Sequence, residues 1–176
     1  MKHNISLWQI SGYIFTVVSG TLLHFLYELS GKSVLTALIS GVNESTWEHM
    51  KILFFPLFTF AVFQYRYFKS YDSFFFIKLV GISLGLILIP VIFYTYNGVI
   101  GKSPDWVNIG IFFVSAAASF ITETVLFKGL SLQKGNQLLP LAVLCAIGFL
   151  FIIFTFKTPS LAVFRDPVTG QYGIPK

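Results

Sequence analysis

Residues 138–156 read LLPLAVLCAIGFLFIIFTF, an apolar run that contains no charged side chain. A hydrocarbon core about 30 Å thick needs about 20 apolar residues of helix to cross it. The run is continuous and lacks the period-two alternation of a barrel strand, which favours a helix. This stretch therefore predicts a transmembrane helix and indicates an integral membrane protein.

The composition of the 176 residues agrees with that class. Hydrophobic residues make up 55% of the chain and charged residues only 11%, against about 25% charged residues in a soluble domain. These figures exclude disordered, collagen-like and disulfide-rich secreted chains. The 12 Lys and Arg residues are scattered singly among 7 Asp and Glu residues. Scattered cations are typical of membrane-surface anchors, so we expect no nucleic-acid partner.

Four more segments resemble residues 138–156, and together they predict one all-α membrane domain over residues 1–156. We predict five transmembrane helices, at residues 7–29, 45–68, 74–96, 104–127 and 138–156. Residues 33–40 are apolar but too short to span, and they predict a short interfacial or re-entrant helix. Residues 157–176 form a polar C-terminal tail with turn chemistry at 166–170. Two arrangements stay open for this tail: it packs over the membrane domain, or it extends freely.

Ionisable side chains collect in one short window of the chain. His24, Glu28, Glu44, Glu48 and His49 fall within 26 residues, which end the first span and begin the second. Antiparallel packing of these two helices would bring the five side chains to one membrane face. Ionisable groups in membrane helices are costly and mark functional sites by default. We therefore predict a polar site at this face.

The residue types in the window point to metal chemistry. His24 and Glu28 are four residues apart, so they share one face of a helix. Imidazoles and carboxylates bind zinc, and helical bundles supply such ligands at this spacing. The sequence predicts His24, Glu28 and His49 as ligands of a divalent metal, with zinc favoured.

Two further carboxylates in the window are candidates for catalysis. Glu44 and Glu48 lie one helical turn apart, so in a low-dielectric site they need a cation, a proton or a metal. Lys51 follows Glu48 by three residues and offers a positive charge. We predict Glu48 and Glu44 as catalytic residues, one of them as a general base. The candidate substrate-binding residues are Asn43, Tyr27 and Lys51.

Structural roles are the alternatives for several of these acids. Ser45 and Glu48 have the spacing of a capping box, in which Glu48 would bond the backbone N–H of Ser45. Glu123 lies late in the fourth predicted span, five residues before Lys128. We expect Glu123 and Lys128 to form a snorkelling pair near the opposite membrane face.

Three stretches carry a resemblance to a known family. They read GTLLHFLYE at 20–28, NESTWEH at 43–49 and FRDPVTGQYG at 164–173. Together they resemble a family of small bacterial polytopic membrane proteins, classified only as a domain of unknown function. The resemblance covers most of the chain and implies a bacterial cytoplasmic membrane. It implies no activity, substrate or cofactor.

These observations lead to three functional hypotheses. The first is a metal-dependent hydrolase or transferase that acts on a lipid or small amphiphile. The second is a proton- or cation-coupled transporter of small solutes, with Glu123 as a second station. Without an internal repeat, five helices give the two-fold transporter architecture only as a dimer. The third is a non-catalytic accessory subunit, so a homo-oligomer or a partner membrane subunit is expected alongside the lipid bilayer.

Overall fold

The computed structural model describes residues 4–129 and 137–174, and the regular elements in these ranges are helices. In chain order they are α1 (Ile5–Leu29), α2 (Val34–Ala37), α3 (Thr46–Phe68), α4 (Phe74–Val99), α5 (Asp105–Gly129) and α6 (Leu138–Phe156). A single 3₁₀ turn follows at Ala162–Phe164. The predicted all-α class is confirmed, and among the predicted spans the largest difference in a helix end is at α4, which ends at residue 99 rather than 96.

Among the residues that the structure describes, four helices are long and apolar enough to cross a bilayer: α1, α4, α5 and α6. This number indicates a multi-pass membrane protein. The 23 residues of α3 include Glu48, His49, Lys51 and Arg66, and these polar side chains reduce its mean hydropathy. The prediction of five spans is thus supported for four of them, and α3 as a fifth span stays a prediction.

Four of the helices form a closed ring. Each of α1, α3, α4 and α5 packs against the next, and α5 closes the ring against α1. Helix α6 lies outside the ring, against α3 and α4. Aromatic side chains make up much of the buried core, among them Phe54, Phe60, Phe68, Phe74, Phe112, Phe120 and Phe127. Short connections make neighbouring helices antiparallel, so the end of α1 and the starts of α3 and α5 lie at one end of the bundle.

Small residues let α1 approach its neighbours closely. Gly12, Thr16 and Gly20 repeat every four residues and are all buried. A Cβ atom on Gly20 would lie only 3.2 Å from the carbonyl oxygen of Ile52 in α3. Such small-residue stripes are typical of membrane helix pairs. The close approach brings His24, one turn after Gly20, near the start of α3.

The short helix appears where the sequence predicted one, within residues 33–40. Its Val34 and Leu35 side chains are exposed, whereas Ala37 is fully buried. Ala37 packs against Tyr27 of α1 and Val42 of the following loop. Helix α2 therefore folds the connection between α1 and α3 back onto the bundle.

The C-terminal tail packs over the start of α3, which decides between the two arrangements left open by the sequence. Phe164 is buried, and its ring centroid lies 4.5 Å from that of Trp47. The hydroxyl of Thr46 donates to the carbonyl oxygen of Val163 at 3.0 Å. The tail thus packs against the same end of the bundle as the predicted polar site.

A tight turn closes the tail at the predicted position. The Gly170 N–H donates to the carbonyl oxygen of Asp166 at 2.8 Å, and the positive φ of Gly170 suits glycine. The carboxylate of Asp166 accepts the N–H of Val168 at 2.7 Å. An antiparallel bridge between Arg165 and Tyr172 flanks this turn. The turn presents Val168 towards a groove between α1, α3 and α5.

Candidate functional site

Three side chains from separate segments meet at this end of the bundle. His24 comes from α1, Glu44 from the loop before α3, and His49 from the first turns of α3. One potential ligand atom from each lies within 4.8 Å of the other two. Nε2 of His24 is 3.6 Å from Oε1 of Glu44, and Nε2 of His49 is 3.7 Å from Oε2 of Glu44. We call these three residues the His/Glu cluster.

The start of α3 fixes where Glu44 lies. The hydroxyl of Ser45 caps the helix by accepting the Glu48 N–H at 3.3 Å. The Ser45 N–H donates to Oδ1 of Asn43 at 2.9 Å. Only the serine half of the capping box is present, because Asn43 takes the N–H that Glu48 would have accepted. This turn holds Glu44 outside the helix, beside His49.

A backbone hydrogen bond sets the orientation of His49. Its Nδ1 lies 2.9 Å from the carbonyl oxygen of Ser45. A carbonyl oxygen only accepts, so the proton is on Nδ1 and the lone pair is on Nε2. That Nε2 is the atom near Glu44. Metal-binding histidines are commonly held by this kind of second hydrogen bond.

The cluster suits a zinc ion in ligand type and approaches the spacing that zinc needs. Ligand atoms at about 2.0–2.1 Å from a tetrahedral zinc lie about 3.4 Å from each other. The two histidine–carboxylate distances, 3.6 and 3.7 Å, involve different oxygens of Glu44, and one ligand atom from each residue lies within 4.8 Å of the other two. Two histidines and one carboxylate form a ligand set of catalytic zinc sites, which leave the fourth position open. The side chains of His24, Glu44 and His49 are 30%, 46% and 16% exposed, so the site is accessible.

The cluster opens into a groove of about 520 Å³ between α1, α3 and α5. Polar lining comes from the cluster, from Thr21 of α1, and from Asp105 and Asn108 of α5. Apolar lining includes Phe25 of α1 with Ile109 and Phe112 of α5. The arrangement joins a potential metal site to a cavity of the size that holds small ligands.

Sequence reasoning missed the contribution of α5 to this site. Asp105 and Asn108 line the groove, yet they lie more than 50 residues after His49. One signal was present: the Ser103, Pro104 and Asp105 sequence marks a helix start. Counting antiparallel helices from α1 puts that start at the same end of the bundle as the cluster.

Glu28, one of the three predicted metal ligands, is not part of the His/Glu cluster. Its carboxylate is 3.7 Å from Nζ of Lys32, and the side chain is largely exposed. The third member of the cluster, beside His24 and His49, is Glu44. The role of Glu28 as a ligand stays a prediction.

The predicted catalytic Glu48 forms a buried ion pair. Its Oε2 lies 2.6 Å from Nζ of Lys51 and accepts the N–H of Val42 at 3.1 Å. Lys51 also donates to the carbonyl oxygen of Ala37 at 3.0 Å and to the hydroxyl of Thr155 at 2.9 Å. The pair ties α3 to the preceding loop and to α6. These contacts favour a structural role for both residues, and their catalytic and substrate-binding roles stay predictions.

The other predicted substrate-binding residues face structural partners. Tyr27 is buried and packs against Ala37. Asn43 accepts from Ser45 through Oδ1 and donates through Nδ2 to the carbonyl oxygen of Gly173 at 2.8 Å. Within residues 4–129 and 137–174, the groove lining includes neither side chain. Their contact with a substrate stays a prediction.

The expected pair of Glu123 and Lys128 is wrong. Glu123 pairs with Lys78 of α4 and accepts from Nε2 of Gln9 at 3.0 Å. Lys128 donates to the hydroxyl of Ser6 instead, at 2.9 Å. Glu123 points into the ring of helices rather than along the membrane surface, so a buried cation from the neighbouring helix is its partner. Four phenylalanine rings lie within 5.6–5.8 Å of Nζ of Lys78.

Comparison with known proteins confirms the family resemblance. No curated protein and no solved structure matches the chain. One family model does match, over residues 1–174, and it is described as a family of unknown function, DUF6512. Because the match extends over nearly all of its 176 residues, the chain belongs to the DUF6512 family.

Proposed function

We propose that the His/Glu cluster is a divalent-metal site, with zinc favoured, in a membrane hydrolase or transferase that acts on a lipid or small amphiphile. One observation carries the proposal: ligand atoms from three separate segments converge within 4.8 Å at a groove. Histidines that serve only to pack helices together would not be expected to converge on one carboxylate, as His24 and His49 do on Glu44. The hydrogen bond from His49 to Ser45 adds the tautomer that binding requires.

The chemistry follows from a site with three protein ligands. A zinc ion held in this way lowers the pKa of a bound water to about 7 and polarises a carbonyl or phosphoryl oxygen. With Glu44 as a ligand, the general base must come from elsewhere. Asp105 contributes a second carboxylate to the groove lining, and we propose it for that role in place of the buried Glu48.

We also propose that α3 crosses the bilayer as a fifth span, in the cytoplasmic membrane of a bacterium. At 1.5 Å per residue its 23 residues extend about 35 Å, which exceeds a hydrocarbon core of about 30 Å. Glu48, Lys51 and Gln64 of α3 are all buried inside the bundle. The helix therefore keeps these polar groups away from lipid.

Metal content tests the proposed site. We would purify the full chain in detergent and measure bound zinc, manganese and iron by mass spectrometry. We expect close to one metal ion per chain, and a loss of at least tenfold in His24→Ala, His49→Ala and Glu44→Gln. Glu28→Gln decides between the ligand set predicted from sequence and the observed cluster, and we expect it to keep its metal.

Two outcomes would contradict the proposal. One is a protein that binds no metal above background even after zinc is added. The other is equal metal content in the wild type and in all three cluster variants. A loss of metal in Glu28→Gln would instead restore Glu28 to the ligand set.

Transport is the second candidate function, and the buried pair of Lys78 and Glu123 favours it. This pair lies near the start of α4 and the end of α5, at the opposite end of the bundle from the cluster. Two ionisable centres in one bundle are what a proton or cation relay requires. Glu123→Gln should stop transport by a relay, whereas an enzyme should keep its activity per folded molecule. An accessory subunit would instead copurify with a partner membrane protein.

A further inference from the structure

We propose that the groove is an acyl-chain site: one hydrocarbon chain of a bilayer amphiphile enters it sideways, between α1 and α5. The head group then lies at the His/Glu cluster. This inference rests on the proposed function for the head-group end, whereas the chain-binding end rests on the shape and lining of the groove. It identifies the substrate as an amphiphile drawn from the membrane rather than a solute drawn from water.

The lining of the groove changes from polar to apolar along α5. Asp105 and Asn108, in the first turn, are polar, and Ile109, Phe112 and Phe113 follow them into the bundle. The start of α5 lies at the same end as the cluster, so the polar part of the groove surrounds the potential metal site. An amphiphile has the same division between its head group and its chain.

Helix α1 forms the opposite wall of the groove. It runs antiparallel to α5, so residues before His24 lie deeper in the bundle. Thr21 and Gly20 line this deeper part. A Cβ atom on Gly20 would overlap the ring of Phe112, so the glycine allows the close approach of α1 and α5 below the groove. The groove therefore ends inside the bundle and does not cross it.

The length of the groove lies within one leaflet of a bilayer. Asp105 and Phe113 are eight residues apart on one helix, about 12 Å at 1.5 Å per residue, and half of a hydrocarbon core about 30 Å thick is about 15 Å. The apolar part, from Ile109 to Phe113, accounts for about 6 Å of this length, so it takes the segment of an acyl chain next to the head group. The volume of about 520 Å³ also lies in the range of about 300–1,000 Å³ found for small-ligand pockets.

The mouth of the groove lies where lipid contacts the bundle. Phe25 of α1 and Ile109 of α5 are 55% and 57% exposed, whereas Phe112 behind them is 7% exposed. Both helices are among the four that are able to cross a membrane, so their outward apolar side chains face acyl chains. An amphiphile therefore reaches the cluster without leaving the hydrocarbon layer.

Photolabelling in vesicles tests this inference without reference to activity. The full chain would be reconstituted in phosphatidylcholine vesicles with a trace of palmitic acid that carries a diazirine near the middle of its chain. After illumination, mass spectrometry locates the adducts. We expect at least fivefold more label on Ile109 and Phe113 than on Ile121 and Val125 of the same helix. These two controls are 63% and 62% exposed but lie outside the groove.

A pair of variants and a competition complete the experiment. Ile109→Trp narrows the mouth and should reduce groove labelling at least threefold, whereas Ile121→Trp should leave it unchanged. Excess unlabelled palmitic acid should remove label from the groove but not from the control residues. Equal labelling of groove and control residues, or groove labelling that excess palmitic acid does not reduce, would overturn the inference.

Metal content measured on the same samples separates this inference from the proposed function. Saturable groove labelling in a chain that binds no metal would support the acyl-chain site and contradict the metal centre. A chain that binds metal but whose groove is not labelled would support the metal centre and contradict the acyl-chain site.

Discussion

Of two glutamates near the start of α3, Glu44 lines the groove and Glu48 is buried away from it. Glu44 and Glu48 are one turn apart in sequence, and the sequence predicted both as catalytic. Ser45 ends the loop and begins α3, so Glu44 lies outside the helix while Glu48 is buried in its first turn. The helix cap at Ser45 therefore lies between Glu44, which lines the groove, and Glu48, which forms a structural ion pair.

The structural assignment of Glu48 makes a prediction about stability. Glu48→Gln leaves the buried ammonium of Lys51 without its carboxylate, and loss of one partner of a buried pair costs about 3–5 kcal/mol. We expect chemical unfolding in detergent to show a loss of this order, with the metal content of the folded protein unchanged. Wild-type stability combined with loss of metal would contradict this account and favour Glu48 as a site residue.

The second buried pair allows a similar prediction with an internal control. Lys78→Met leaves Glu123 with Gln9 as a neutral donor and should also destabilise the bundle by about 3–5 kcal/mol. The double variant Lys78→Met with Glu123→Leu removes both charges, and apolar replacements of buried pairs are often neutral. We expect the double variant to unfold at a higher temperature than the single one. The reverse order would show that the pair is not a structural unit.

At the scale of elements, the tail and the start of α3 behave as one unit. Trp47 packs against Phe164 of the tail, and Asn43 bonds the carbonyl oxygen of Gly173. Because Asn43 and Trp47 lie in the segment that also holds Glu44 and His49, the tail supports the segment that carries two members of the cluster. Two of the stretches that carried the resemblance, residues 43–49 and 164–173, therefore contact each other in the structure.

Removal of the aromatic anchor should release the tail. Truncation of a buried phenylalanine costs about 3–5 kcal/mol, so Phe164→Ala should raise the detached population about a hundredfold or more. Proteolysis follows that population when opening is fast. We expect a protease to remove the tail much faster in Phe164→Ala than in the wild type, with Val168→Ala, at an exposed turn residue, as the matched control. Equal rates in both variants would show that the tail is not anchored by this contact.

Helix α3 makes a prediction about topology. If it crosses the bilayer, the loop before it and the loop after it lie on opposite sides of the membrane. We would replace Cys145 by Ser and introduce Lys32→Cys or Asp72→Cys, both at exposed positions. A membrane-impermeant maleimide should label only one of the two variants in sealed vesicles. Labelling of both from the same side would contradict a fifth span.

At the scale of the whole molecule, the sequence predicted the helices well because apolar length is a local property. All six helices and the tail turn lie within three residues of their expected positions. The site was predicted less completely, because it depends on how distant segments meet. His24, Glu44 and His49 were found from sequence because they lie within one window of 26 residues. Asp105 and Asn108 join the groove only because α5 packs against α1. Lys78 was unforeseen as the partner of Glu123 for the same reason, since 45 residues separate them.

X-ray absorption spectroscopy at the zinc edge of the purified, zinc-loaded chain tests whether His24, Glu44 and His49 hold one metal ion at the head of the groove. We expect two imidazole ligands and oxygen ligands at about 2.0–2.1 Å, and a loss of imidazole scattering in His24→Ala and His49→Ala. A spectrum without imidazole scattering, or one that neither variant changes, would contradict this metal site.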